Sequence, residues 1–143
     1  NSKALQAAAD LTRILIQLNQ NHSVRDTIES LPLAGISVRQ LNKWEKHRDR
    51  DIIGGKISTA CYLPESFLAS LFFCWKYHDD FSKGVLENAM VGGDNCHRGV
   101  VVGSILGIHN EVSQSWLKNL KMMNRLRCDA QLLESNQLSK RES

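Results

Sequence analysis

The stretch of residues 91–99, with the apolar run that follows it, constrains this chain more than any other feature. Glycines, a carboxylate, a thiol, an imidazole and a guanidinium stand together nowhere else in the sequence. Gly92 and Gly93 relax the steric limits on the backbone and let another group approach the main chain. Asp94 or Asn95 then stands where a helix N-cap is favoured, because a short polar side chain accepts unpaired backbone N–H groups. The stretch predicts a tight turn followed by a helix.

Three further glycines, Gly99, Gly103 and Gly107, recur every four residues along that predicted helix. Residues four apart share a helix face, so one face carries almost no side chains. Each glycine inside a helix costs about 1 kcal/mol relative to alanine, and we therefore expect another backbone to pack closely against this face. A helix start also presents N–H groups and a partial positive charge, which suit a phosphate or a carboxylate.

Hydrophobic residues follow the one-face spacing of amphipathic helices along most of the remaining chain. The pattern predicts helices over Ser2–Asn19 and about Ser23–Leu31, a third marked by Val38, Leu41 and Trp44, a fourth from Pro64, a fifth capped by Asp79 or Asp80, the glycine-rich helix, and one more marked by Val112, Trp116, Leu120 and Met123. No segment alternates as a half-buried strand would. We predict an all-α, multi-helix fold whose core includes Phe72, Phe73 and Trp75.

The segment 43–51 is dense with charge and ends before a glycine pair, so we expect a solvated helix end and loop there. His47-Arg48-Asp49 imitates the catalytic loop of a protein kinase, but Gly54 stands where that motif needs a metal-binding asparagine. Gly55-Lys56 imitates a phosphate-binding loop, but it lacks the first glycine and the hydroxyl residue of that motif. We reject both motifs.

The length of 143 residues suits one domain with a real core. With 42% hydrophobic and 23% charged residues, the composition is that of an ordinary globular protein. The chain turns polar from about Arg127. We predict a helical domain over residues 1–126 and a polar, flexible tail over residues 127–143.

Charge, cysteine usage and the length of the apolar runs predict an intracellular protein that does not bind nucleic acid and does not span a membrane. The net charge is only +3, and the basic residues form no stripe with interleaved aromatics. The four cysteines contain no CxxC pair, which favours a reducing compartment, with cytoplasm and organelle matrix not distinguished. The longest apolar run, 100–108, is far shorter than the roughly 20 residues of a membrane-spanning helix.

Several motifs in this order resemble the ADP-ribosylglycohydrolase family, which includes crystallin J1 and the dinitrogenase-reductase-activating glycohydrolases. They are Gly92-Gly93-Asp94 before a small-residue helix, Ser58-Thr59-Ala60-Cys61-Tyr62, the aromatic helix Phe72–Tyr77, Asp80-Phe81 with Glu87-Asn88-Ala89, and Trp116-Leu117. The similarity covers roughly Lys3–Leu120 and corresponds to the C-terminal part of such a domain. The resemblance implies an incomplete, all-α ADP-ribosylglycohydrolase-like domain.

The resemblance also implies a hydrolase that cleaves a glycosidic bond at ADP-ribose or a related substrate with two Mg²⁺ ions. In the family pattern, Gly-Gly-Asp is followed by any residue and then by Asp and Thr, which help to bind the metals. Asp94 matches the first carboxylate, whereas Cys96 and His97 occupy the second carboxylate and the hydroxyl positions. Mg²⁺ favours oxygen ligands, whereas sulfur and nitrogen suit zinc or iron. The presence of Cys96 and His97 at these two positions therefore implies that the chain belongs to a divergent branch of the family, in which the metal has changed or the metal site has been lost.

These considerations give two sets of predicted site residues. The metal ligands are Asp94, Cys96 and His97, and the substrate-binding residues are Gly92, Gly93, Asn95 and Arg98. Four of these residues also have a structural interpretation. Asp94 would be a helix N-cap, Cys96 a small buried residue, His97 a capping-turn histidine, and Arg98 a member of a surface ion pair.

In the family, the remaining metal ligands and the catalytic acid lie in an N-terminal segment that has no match here, so no catalytic residue is assigned. Because the chain begins at Asn1 and not at Met, one expectation is that an upstream segment is missing from the sequence. The alternatives are that a protein partner supplies the missing residues or that the domain has lost catalysis. The two functional hypotheses are therefore an active glycohydrolase, and an inactive descendant that serves as a structural or interaction subunit of a larger assembly.

Overall fold

The computed structural model describes residues 2–33 and 37–139, with side chains described up to residue 131. The described part contains nine α-helices. They are α1 (Ser2–Asn19), α2 (Val24–Ser30), α3 (Val38–Trp44), α4 (Asp49–Ile52), α5 (Glu65–Lys76), α6 (Phe81–Met90), α7 (Asn95–Leu106), α8 (Gln114–Asn119) and α9 (Met123–Ser139). Apart from an isolated bridge between Ile53 and Ile57, these residues form no β-structure. The all-α prediction is confirmed.

Helix α5 is the centre of the first part of the chain. Eight of its 12 residues are buried, and α7, α6, α3 and α2 pack against it. Phe72 and Phe73 are fully buried and Trp75 nearly so, which confirms their prediction as core residues. Phe72 meets both Trp44 and Phe73 edge to face, with ring centroids 6.4 and 5.5 Å apart, a geometry that aromatic pairs favour. This core supports the turn at residues 92–94.

Local sequence signals set most helix ends. Helix α1 has the predicted bounds, and α2 begins after Ser23, whose Oγ accepts a hydrogen bond from the Asp26 N–H at 3.1 Å. Asp80 caps α6 in the same way by accepting from the Lys83 N–H at 2.9 Å. Such caps satisfy N–H groups that the first helical turn leaves unpaired.

The expected solvated helix end and loop over residues 43–51 fits most of the segment, because α3 ends at Trp44 and most of these side chains are exposed, but it fails at the end of the segment. Residues Asp49–Ile52 form α4, and Asp49 is buried. Its carboxylate accepts hydrogen bonds from Tyr77 Oη at 2.6 Å and Lys76 Nζ at 2.7 Å. A buried carboxylate with such partners is a stable arrangement, and a run of charges in a sequence does not show which of them will be paired.

The expected close backbone contact along the glycine face of α7 is also wrong. A Cβ atom added at Gly103 would meet no described atom within 4 Å, and one at Gly99 would lie 3.3 Å from the Asn88 side-chain amide. Helix α7 is buried through Val102, Ile105 and Leu106 instead. The periodicity of the glycines predicted a bare face correctly, but no backbone of another described element packs on it. Gly103 faces open space, and a Cβ at Gly107 would meet the Phe81 ring at 3.4 Å.

The chain divides into two compact units, residues 1–111 and 112–143. In the second unit, the single helix predicted along 112–123 is interrupted, because Leu120 leaves helical geometry between α8 and α9. Helix α9 continues across residue 127, where composition predicted the start of a flexible tail. The domain limits 1–126 and 127–143 stay predictions. Across the described ranges, none of the helices combines the length and apolar character needed to cross a membrane.

Candidate functional site

The turn before α7 requires its two glycines. Gly92 and Gly93 have φ values of +73° and +67°, in the left-handed region that side chains with a Cβ seldom adopt. At Gly93 a Cβ would also lie 2.4 Å from the Thr59 carbonyl oxygen. The turn is therefore packed directly against the loop that contains Thr59, and the prediction that both glycines are needed for the turn is supported.

Asp94 is the N-cap residue of α7, but its side chain makes no capping hydrogen bond. Its backbone N–H donates to the Thr59 carbonyl at 2.9 Å, and its Oδ1 lies 2.6 Å from Nδ1 of His97. Its Oδ2 is buried and has no hydrogen-bond partner in the described structure. Buried polar atoms are seldom left unpaired, and the simple capping interpretation does not explain this oxygen.

His97 and Cys96 both have exposed side chains. The His97 side chain is 83% exposed and touches Asp94, whereas Cys96 Sγ lies 3.6 Å from Oδ1 of Asn95. Over the part of the chain that is described, no three His, Cys, Asp or Glu residues converge as a metal site would require. Of the three predicted metal ligands, only Asp94 and His97 are in contact among the described residues, and metal binding by Asp94, Cys96 and His97 stays a prediction.

Arg98 contradicts the expectation of a surface ion pair, because it is 1% exposed and among the largest fully buried side chains. Its Nε donates to Asn88 Oδ1 at 3.0 Å, its Nη1 to the Thr59 carbonyl at 3.2 Å and its Nη2 to the Gly92 carbonyl at 2.6 Å. Burial lowers the pKa of the guanidinium below its usual value, and the nearby Asp94 carboxylate partly offsets this. These contacts favour a structural role, and a substrate contact through Arg98 stays a prediction.

Sequence reasoning missed the role of Asn88. This buried residue of α6 accepts from Arg98 and donates its Nδ2 to the Asn95 carbonyl at 2.9 Å. Asn95, predicted to bind substrate, donates its own Nδ2 to the Ala89 carbonyl at 3.1 Å. The available signal was weak: Asn88 follows Gly84 by four residues and shares its buried helix face.

A cavity of about 440 Å³ adjoins the turn between α1, α5 and α7. Its walls are mainly apolar and include Leu11, Phe67 and Val101, and His97 and Arg98 also line it. A larger groove of about 670 Å³ lies among the charged residues 45–51, near Lys76 and Tyr77, and does not include Asp94. Asp94 lines neither of the two. We regard the first cavity as the relevant one because two predicted site residues, His97 and Arg98, line it, whereas the groove meets the 91–99 stretch only at Val91.

The sequence matches the profile of the ADP-ribosylglycohydrolase family over residues 2–142. An all-α fold, a glycine turn and a carboxylate at the head of α7 define the class of domain, and the chain belongs to the ADP-ribosylglycohydrolase family. The match extends beyond the predicted limits of Lys3 and Leu120. Comparisons with curated proteins and with solved structures gave no significant match.

Members of this family are generally metal-dependent. Mg²⁺ takes about six oxygen ligands in octahedral geometry, and the buried Oδ2 of Asp94 has the right chemistry for one of them. Cys96 and His97 offer sulfur and nitrogen, which suit this ion poorly. Asp94 therefore fits as a single magnesium ligand, whereas the other two predicted ligands do not fit.

Proposed function

We propose that this chain forms the C-terminal, helical part of an ADP-ribose-binding glycohydrolase, in which Asp94 contacts the metal-bound ligand. The observation that carries the proposal is the buried Oδ2 of Asp94, which has no partner in the described structure. It belongs to the one residue of the turn that matches a family metal ligand. Family membership supports the hydrolase class, and the residue-level contact is our inference.

The residues around Asp94 suggest how the contact is made. Its backbone N–H is bound to the Thr59 carbonyl and its Oδ1 to His97. Oδ2, which is buried and has no partner among the described residues, is therefore the oxygen that we assign to the cation. A bound magnesium ion would orient the ribose hydroxyls and lower the pKa of a bound water. Asp94 would supply one oxygen ligand to the magnesium ion. The family resemblance implies that further ligands come from an N-terminal segment, or that a protein partner supplies them.

Substitution of Asp94 by asparagine in the full-length protein tests this proposal. Asparagine keeps the shape of the side chain but removes the charge. We expect Asp94→Asn to weaken ADP-ribose binding in the presence of Mg²⁺ by about 10- to 100-fold, the equivalent of one charge-assisted contact, and to stop release of ADP-ribose. Calorimetry and a release assay measure the two effects.

Asp80→Asn is the matched control, because Asp80 is also a helix N-cap and its side chain makes the capping bond that Asp94 lacks. It should leave ADP-ribose binding unchanged. If the Asp94→Asn protein binds and releases ADP-ribose like the unchanged protein, Asp94 has no role in the site.

The second candidate is an inactive descendant that acts as a structural or interaction subunit. It is favoured by the exposed, non-oxygen side chains of Cys96 and His97 at two positions where the family pattern has metal ligands. For this candidate, the folded full-length protein with Mg²⁺ would release no ADP-ribose, and Asp94→Asn would change neither binding nor stability.

A further inference from the structure

The guanidinium of Arg98 has an unusual environment for a buried charge. Among the described residues its hydrogen-bond acceptors, Asn88 Oδ1 and the carbonyl oxygens of Thr59 and Gly92, are all neutral, and the nearby Asp94 carboxylate only partly offsets the cost of burial. Taking a charge out of water is costly unless strong partners compensate it. An apolar side chain would avoid that cost but would leave these three acceptors without the donors that Arg98 supplies. The arrangement therefore has to be explained by the geometry that the three bonds impose.

The three bonds join the segments on both sides of Asp94. The Thr59 carbonyl accepts from Arg98 Nη1 at 3.2 Å and from the Asp94 backbone N–H at 2.9 Å. The Gly92 carbonyl, two residues before Asp94, accepts from Arg98 Nη2. Arg98 itself lies one helical turn after Asp94, and its N–H donates to the Asp94 carbonyl at 3.5 Å. The planar guanidinium thus fixes the turn and the neighbouring loop relative to each other.

Asn88 extends this network to α6. It receives a hydrogen bond from Arg98 Nε and donates one to the carbonyl of Asn95, the first residue of α7. Gly92, two residues before Asp94, is therefore held by Arg98 itself, and Asn95, the residue after Asp94, by the side chain of Asn88 that is bonded to Arg98. A buried hydrogen-bond network of this kind restrains the groups that it joins.

We infer that Arg98 is a positioning residue, which holds the Asp94 carboxylate in its ligand-facing orientation by binding the Thr59 and Gly92 carbonyls. The inference rests on the proposed function of Asp94. Arg98 acts through Asp94 and makes no contact with the ligand. A site of this kind weakens when its supporting groups shift, because a displacement of about 1 Å can lower the effectiveness of a positioned group about 100-fold.

A double-mutant cycle in the full-length protein tests the inference. Arg98→Lys keeps the charge but has no planar fork to reach three acceptors. We expect it to weaken ADP-ribose binding in Mg²⁺ by about 10- to 100-fold when Asp94 is present. In a protein that already contains Asp94→Asn, Arg98→Lys should cause no further loss of affinity, because Arg98 acts through the Asp94 carboxylate that is already missing.

Arg25→Lys is the matched control. Arg25 also joins two segments, because its Nε donates to the Trp75 carbonyl at 3.2 Å and its Nη2 to Glu45 at 2.6 Å. Neither bond involves a residue of the turn. It should leave affinity unchanged. Arg98→Gln, which removes the buried charge, serves as a second variant if the lysine variant unfolds. It should also weaken ADP-ribose binding when Asp94 is present and add no loss of affinity to Asp94→Asn.

Amide hydrogen exchange gives a readout of the geometry itself. Arg98→Lys should accelerate exchange at Asp94, whose N–H bonds the Thr59 carbonyl, and leave the amides of α5 protected. Equal affinity for the Arg98 variants and the unchanged protein, or losses that add to those of Asp94→Asn, would overturn the positioning role alone. If Asp94→Asn has no effect, or the unchanged protein does not bind ADP-ribose, the proposed function fails and this inference fails with it.

Discussion

Tyr77 donates its phenolic hydrogen to Oδ2 of Asp49 at 2.6 Å, and both side chains are buried. Lys76 binds the other carboxylate oxygen and the His47 carbonyl, each at 2.7 Å. The C-terminal end of α5 therefore anchors the segment that leads into α4. The residues that imitate a kinase catalytic loop serve here as part of a structural anchor.

Replacing Tyr77 by phenylalanine should destabilise the protein. The change removes one buried hydrogen bond and leaves an oxygen of Asp49 unpaired, which costs about 1–3 kcal/mol of unfolding free energy. Urea denaturation measures the difference. Tyr62→Phe is the control, because Tyr62 is 74% exposed, and it should change stability by less than about 0.5 kcal/mol. Equal effects of the two substitutions would show that the Asp49 bond contributes nothing.

The same bond predicts a loss of stability at alkaline pH. Burial raises the pKa of the Tyr77 phenol above its usual value, and the hydrogen bond and negative charge of Asp49 raise it further. The folded state then holds this proton more tightly than the unfolded state. The stability from Tyr77 is complete below the unfolded-state pKa of about 10 and is lost as the pH rises through the higher folded-state pKa.

Urea denaturation between about pH 9 and pH 11.5 measures this effect. The unchanged protein should lose up to about 1.4 kcal/mol per pH unit from this one group above pH 10. Tyr77→Phe has no phenol to ionise, so its unfolding free energy should fall less steeply. Parallel curves for the two proteins would contradict the raised pKa of Tyr77.

Alanine at Gly93 should be more damaging than alanine at Gly92. Both positions have positive φ, which costs alanine about 1–2 kcal/mol. Only at Gly93 would the new Cβ collide with Thr59, whereas at Gly92 it would meet no described atom within 4 Å. We expect Gly93→Ala to cost about 1–3 kcal/mol beyond Gly92→Ala. Urea denaturation of both variants isolates the collision, and equal losses would mean that the Thr59 loop moves aside freely.

Alanine at Gly103 should stabilise the protein. The position lies inside α7 in open space, so alanine gains about 0.5–1 kcal/mol from reduced backbone freedom. Gly99→Ala is the comparison, because its Cβ would crowd the Asn88 amide at 3.3 Å, and it should gain less or destabilise. Thermal denaturation at one protein concentration measures both. A loss of stability in Gly103→Ala would restore the idea of a close contact on the glycine face.

The sequence located the turn and the carboxylate of the site but not the groups that hold them. Gly92, Gly93 and Asp94 could be found because a left-handed turn and a helix start are encoded by adjacent residues. The orientation of Arg98 could not be found in this way. An arginine one turn into a helix is exposed or buried according to what packs beside it, and the oxygens of Thr59 and Asn88 that accept its N–H groups come from other segments.

The sequence by itself determined where most of the helices form, because apolar spacing, caps and glycines act over a few residues: α1, the Ser23 cap and the aromatic α5 are examples. It also determined the family, through motifs in a fixed order. Only the tertiary structure decided that Asp49 is buried with Tyr77. The same holds for two features seen among the described residues, the open space at Gly103 and the oxygen of Asp94 that has no hydrogen-bond partner. Each of these depends on groups that are distant in the sequence, and burial is a property of the packed assembly of helices rather than of any one segment.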